Sequence, residues 1–178
     1  MITELTRMWL TRSTKPFLFK NEYDQELPFS DCDGLGLYVH IPFCRSICSF
    51  CPYCKTLYTE EACSRYIDAL IREIHLAGSQ APGKKTVTSL YFGGGTPALA
   101  ADRIKEIIDA IQEHFIITQG IGIELHPENV TPRTLHILKE AGITKLSIGI
   151  QSFQEKFQKL LGRTGADMDP LKAALSQV

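Results

Sequence analysis

The chain has 178 residues, a formal net charge of −1 from 20 acidic and 19 basic side chains, and 44% hydrophobic residues. That is enough to bury the core of one domain, and the balanced charge gives no electrostatic reason to expect a nucleic-acid partner. No apolar run approaches the roughly 20 residues of a membrane helix, and Arg7 and Arg12 flank only Met8-Trp9-Leu10, too little for a signal-peptide core, so a soluble cytoplasmic protein is expected.

Residues 1–35 show no sustained period, and Pro16 to Phe29 mixes aromatic and charged residues between two prolines, so this part reads as an irregular arm laid over the domain. Leu37 to Ile41 is a short apolar strand ended by Pro42. Four of the six cysteines, Cys44, Cys48, Cys51 and Cys54, then fall within eleven residues. Thiols this dense are rarely a disulfide framework and fit a reducing compartment; at this spacing on a loop they can converge on one metal centre, either zinc or an iron–sulfur cluster. Cys32 and Cys63 stand apart and read as small packing residues.

Thr59 can cap a helix running to about Ala77, with Cys63, Tyr66, Ile67, Leu70, Ile74 and Ala77 on one stripe and Gly78 as its stop. Thr86 to Phe92 reads as a second strand, followed by Gly93-Gly94-Gly95-Thr96-Pro97. A second helix from Ala101 to Phe115 aligns Ile104, Ile107, Ile108, Ile111 and Phe115. Ile121 to Leu125 is the third strand; Thr131 and Pro132 open a third helix that Gly142 closes. Lys145 to Ile150 is the fourth strand, Phe153 to Leu161 a fourth helix stopped by Gly162, and Asp169-Pro170 begins a last one. Strands alternating with helices argue for repeated βα units and a parallel sheet.

In the third strand Ile121, Ile123 and Leu125 alternate with Gly122, Glu124 and His126, and in the fourth Leu146, Ile148 and Ile150 alternate with Ser147, Gly149 and Gln151. One face is therefore apolar and can meet helices, and the other is small and polar. A sheet curled into a partial barrel would gather Tyr38, Glu124 and Gln151 in one cavity; the competing arrangement, an open sheet with that face in water, is one parallel sheets seldom tolerate. Three glycines after the second strand weaken a strand but permit unusual φ/ψ and close backbone approach to a ligand. His40 and His126 read as satisfied polar groups at strand ends.

The spacing Cys44-x3-Cys48-x2-Cys51, with Phe50 before the third cysteine, resembles the signature of the radical S-adenosylmethionine superfamily. The strings Tyr38–Cys44 (YVHIPFC), Gly93–Pro97 (GGGTP) and Ser147–Phe153 (SIGIQSF) are similar to the branch containing oxygen-independent coproporphyrinogen III oxidase and haem-chaperone relatives. The resemblance spans Gly36 to Arg163. It implies a [4Fe-4S] cluster on Cys44, Cys48 and Cys51, with one iron left open for S-adenosylmethionine. It further implies cofactor contacts from Tyr38, Gly94, Gly95, Thr96 and Glu124, and contacts to a second S-adenosylmethionine from Gln151 and Arg163. Reductive cleavage to a 5′-deoxyadenosyl radical, followed by oxidative decarboxylation of porphyrinogen propionates, is the implied chemistry. A haem chaperone and a radical methyltransferase share the scaffold. A closed iron–sulfur or zinc site using Cys54 is the rival, and Arg163 has the alternative of capping the fourth helix. The porphyrinogen oxidase proper carries a cysteine two residues after its third cluster cysteine, where this chain has Tyr53 and then Cys54.

The implied partners are a small-molecule substrate such as a porphyrinogen or haem and a reducing donor such as flavodoxin or ferredoxin, with no nucleic acid and no membrane span. The implied fold is α/β, a parallel-stranded partial barrel of the six-unit βα type. About four units are present in residues 36–178, so the chain is expected to be the N-terminal part of that barrel, with the fourth strand as an edge.

Overall fold

The computed structural model describes Thr6, residues 32–81, residues 83–161 and residues 168–176. In chain order its elements are β1 (Gly34–Ile41), β2 (Phe43–Cys44), β3 (Thr56–Leu57), α1 (Glu60–Ser79), β4 (Lys85–Gly94), α2 (Ala101–His114), β5 (Phe115–Ile117), β6 (Ile121–Leu125), α3 (Pro132–Glu140), β7 (Ile143–Ile148), α4 (Glu155–Leu160) and α5 (Met168–Leu175). The main sheet runs β1-β4-β6-β7, parallel throughout, with β5 added beside the start of β4. The parallel α/β sheet expected from the alternation of elements, with the partial barrel that the resemblance implies, is what the chain forms.

The core lies between the outer face of this sheet and the helices. Ile41, Val87, Phe92 and Ile123 from the strands and Ile67, Ile104 and Ile107 from the helices have no exposed surface; each such side chain stabilises the fold by roughly 1.5–3 kcal/mol. Cys63 is part of this core. The helices start where their caps dictate: the Thr59 hydroxyl accepts from the Ala62 N–H at 3.2 Å and the Thr131 hydroxyl from the Thr134 N–H at 3.1 Å. Gly142, at φ 94°, ends α3 in the left-handed conformation open to glycine.

Several boundaries differ from the sequence expectation. α1 does not stop at Gly78 but runs through it to Ser79; this glycine is needed because a Cβ there would lie 2.2 Å from Cγ of His114. The stripe expected to end α2 at Phe115 breaks one residue early. Phe115 is buried, but as the first residue of β5, where Phe115-Ile116-Ile117 pairs with Lys85-Thr86-Val87. β1 begins at Gly34, earlier than Leu37, since its pairing to β4 starts at Gly34 opposite Thr86. The fourth strand is Ile143–Ile148, ending before Ile150, and α4 begins at Glu155 with Phe153 outside it. β7 ends the strand order, and Leu146 on it keeps 37% of its surface exposed, so the apolar face expected there is only partly covered. Arg163, Gly162 and nearly all of the N-terminal arm lie outside the described residues. No helix among the described residues is long and apolar enough to cross a membrane.

Candidate metal and cofactor site

Both loops that matter leave the C-terminal ends of neighbouring parallel strands, the position where such sheets bind ligands. From β1, Pro42 leads into β2, and the loop through Cys54 returns as β3. A two-residue parallel clasp closes its base: the Thr56 N–H donates to the Pro42 carbonyl at 2.8 Å and the Tyr58 N–H to the Cys44 carbonyl at 2.9 Å. Phe43 anchors this base in the core, with Tyr58 and Tyr66 set edge-on to its ring at 6.3 and 5.5 Å. Inside the loop the Cys51 N–H donates to the Cys48 carbonyl at 3.3 Å, and the Lys55 ammonium to the Cys51 carbonyl.

From β4 comes the glycine loop. The Gly95 N–H donates to the Ile41 carbonyl at 2.9 Å and the Thr96 N–H to the Phe43 carbonyl at 2.8 Å. A Cβ on Gly95 would meet the Phe43 carbonyl oxygen at 2.6 Å, and one on Gly94, whose φ is 124°, would meet the Ile41 oxygen at 2.8 Å. The close approach expected of these glycines is thus, first of all, an approach to the chain's own backbone at the root of the cysteine loop. Gly93 makes room for the Tyr38 ring, 2.7 Å from its would-be Cβ.

These loops and the inner ends of β6 and β7 enclose a cleft of about 430 Å³. Cys44, Cys48 and Cys51 line it together with Gly94, Gly95, Thr96, Glu124 and Gln151. Tyr38 does not, contrary to expectation. It stands 59% exposed on the same sheet face, next to Tyr91 with ring centroids 6.5 Å apart. Its hydroxyl donates to His40 Nδ1 at 3.1 Å, and His40 Nε2 donates to the Cys54 carbonyl at 3.0 Å; since a carbonyl only accepts, the proton of the neutral ring sits on Nε2. His40 is therefore the satisfied strand-end histidine that was expected. His126 lines the cleft and accepts at Nδ1 from the Glu128 N–H at 3.3 Å. Gln151 reaches the cleft from beyond β7, in a left-handed conformation at φ 68°, rather than from the strand alternation.

The charged centre of the inner face is Glu124, one oxygen accepting from the Gly94 N–H at 3.3 Å and the other from the Tyr91 hydroxyl at 3.4 Å. Burial, followed by the Glu124 carboxylate, raises the Tyr38 pKa above the ordinary phenol value; burial also raises that of Tyr91, against a lowering hydrogen bond with Ser147. Both hydroxyls thus remain donors. Tyr91 was missed in the sequence, although the second strand carries the signal: Leu90 and Phe92 are buried outward, so Tyr91 must face inward beside Tyr38, its register partner.

Cys44, Cys48 and Cys51 are each partly buried, whereas Cys54 is exposed and outside the cleft lining. Burial pushes the Cys44 thiol up, opposed by the Thr96 hydroxyl, whose oxygen is 3.9 Å from its sulfur, and raised further by Cys48 and Cys51. Among the described residues, the loop sulfurs do not form a group of three within 4.8 Å of one another. Three partly buried thiols on one cleft are the donor chemistry of an iron–sulfur cluster, and soft thiolates also suit zinc.

The sequence matches the Radical SAM superfamily over residues 38–176. It is 39% identical over 132 residues to the anaerobilin synthase of Escherichia coli O157:H7, covering 72% of this chain and 30% of that protein. It is 32% identical over 138 residues to the heme chaperone HemW of Bacillus subtilis, covering 74% and 36%. Among solved structures, coproporphyrinogen III oxidase (HemN) from Escherichia coli, described as a radical SAM enzyme, superposes with a TM-score of 0.73 at 32% identity, covering 81% of this chain and 34% of that one. The chain spans about a third of the length of the relatives it matches.

Proposed function

This chain belongs to the Radical SAM superfamily, and on that premise we propose that Cys44, Cys48 and Cys51 hold a [4Fe-4S] cluster at which S-adenosylmethionine binds. When bound, that pair supplies reductive cleavage to methionine and a 5′-deoxyadenosyl radical, which takes a hydrogen atom from a substrate. The observation that carries the reading is the convergence of three cysteines, the Gly94–Thr96 backbone and Glu124 on one cleft from which Cys54 is absent. Three thiolates would hold such a cluster with one iron free of protein ligands, open to the amine and carboxylate of S-adenosylmethionine.

The chain's own part is positioning. Gly94, Gly95 and Thr96 bring backbone close to the cleft, and Glu124, already accepting from a backbone N–H and a tyrosine, offers its remaining lone pairs to an ammonium or ribose hydroxyls. Tyr38 stands beside Tyr91 on the same sheet face, and Gln151 lines the cleft from beyond β7. A donor such as flavodoxin or ferredoxin would supply the electron that a bound cluster needs. We assign the substrate to the tetrapyrroles, porphyrinogen or haem, because the relatives carry haem-related names. One of them is a heme chaperone, which favours a second reading in which the same site serves haem delivery.

Anaerobic reconstitution should give about four irons per chain, and added dithionite and S-adenosylmethionine should yield 5′-deoxyadenosine. Iron that stays bound after Cys48→Ala but leaves with Cys54→Ala would overturn the assignment. Haem bound stably, with no substrate-dependent deoxyadenosine formed, would favour the chaperone reading.

A further inference from the structure

A second cluster of metal-ligating side chains lies where the C-terminal ends of α1 and α2 meet. Among the described residues it is the group of three whose donor atoms all fall within 4.8 Å of one another: His75 on α1, with Glu113 and His114 at the end of α2. None of the three lines the cysteine cleft. We propose that these residues bind one zinc ion that ties α1 to α2, with two imidazoles and a carboxylate as protein ligands and water at the fourth position.

The distances suit the ion. His75 Nδ1 is 3.0 Å from His114 Nε2 and 3.7 Å from Glu113 Oε2. Tetrahedral zinc with bonds near 2.0–2.2 Å holds its ligand atoms roughly 3.3 Å apart, between these two values. The His114 ring is also held in place beforehand. The α1 backbone at Gly78 presses against it so closely that a Cβ would meet Cγ at 2.2 Å, and Phe115 lies at a centroid distance of 6.4 Å on another side. Gly78, which neither ends its helix nor turns the chain, thereby has a use: it admits an imidazole whose Nε2 points at His75.

Electrostatics favours a cation at this place. Helix C-termini carry partial negative charge, α1 has no basic residue in its last turn, and α2 has only His114 in its own. Without metal, the two neutral imidazoles share one proton between Nδ1 of His75 and Nε2 of His114; with metal, both facing lone pairs turn to the ion, the shared proton moves to the far nitrogen of the ring that donated it, and the other ring keeps the proton already on its far nitrogen.

The test is zinc titration of the full chain carrying C44S, C48S, C51S and C54S, so that the loop thiolates do not compete, against a chromophoric chelator. One zinc per chain is expected. H75Q in the same background should weaken it by more than the roughly 10–100-fold that loss of an outer-shell partner costs, and E113Q should weaken it less than H75Q. Zinc should raise the Tm of the parent and not that of H75Q, because binding to the folded state alone stabilises it. Circular dichroism identifies H75Q as folded, and His114 is left in place because its ring fills the space over Gly78. A parent that binds no zinc, or a folded H75Q that binds it as tightly as the parent, overturns the proposal.

Discussion

The two loops at the mouth of the sheet are built on opposite principles. The glycine loop after β4 is fixed by backbone: two N–H groups donate to carbonyls at the end of β1 and in β2, and its glycines touch that backbone with no space for a Cβ. The cysteine loop after β1 is clasped at its base by β2 and β3 and tied near its end by the His40 ring to the Cys54 carbonyl, and its thiols remain partly exposed. A closely packed loop thus lies against a more open one, the arrangement expected of a site whose ligand would complete the structure.

The contrast can be broken most severely at the thiols. Cys48→Ala, like Cys44→Ala or Cys51→Ala, should abolish the reconstituted cluster, read as loss of bound iron and of the reduced-cluster EPR signal. Next comes Gly95→Ala, whose methyl must displace the Phe43 carbonyl. A stability loss at the upper end of the roughly 1–3 kcal/mol typical of overpacking is expected in urea unfolding, with poorer iron retention because the root of the cysteine loop moves. A neutral Gly95→Ala would mean that the loop is not held as described. Glu124→Gln keeps shape but removes the charge, and should weaken S-adenosylmethionine by about 1.5–3 kcal/mol at unchanged iron content, measurable by calorimetry. Tyr91→Phe removes a long hydrogen bond at 3.4 Å to that carboxylate and should cost less than about 1 kcal/mol in the same titration. Cys54→Ala should leave iron content unchanged, since this thiol is exposed and outside the cleft.

Much of the fold could be read locally. The caps at Thr59 and Thr131, the proline start and glycine stop of α3, and the isoleucine stripe of α2 are short-range signals, and they mark the helices where they occur. The alternation of Ile121, Ile123 and Leu125 with Gly122 and Glu124 sorted the faces of β6 correctly. Alternation misled at β7, where Gln151 seemed to continue the strand, because a left-handed residue after a strand leaves no mark when the residue is not glycine. β5 was invisible because three residues next to a helical stripe carry no period of their own; only the edge of β4 makes them a strand.

By itself the sequence determined the order of the four main strands and the helices between them, the cysteine spacing and the family, because each depends on residues close along the chain. Tertiary structure alone decided which thiols share a cleft and that Cys54 stays out. It alone made Tyr91 the partner of Glu124, 33 residues away, turned the glycines toward Ile41 and Phe43, and set His75 against His114 across 39 residues. The reason is physical: distance along the chain sets local conformation, but contact across it depends on strand register and helix packing, which no single segment encodes.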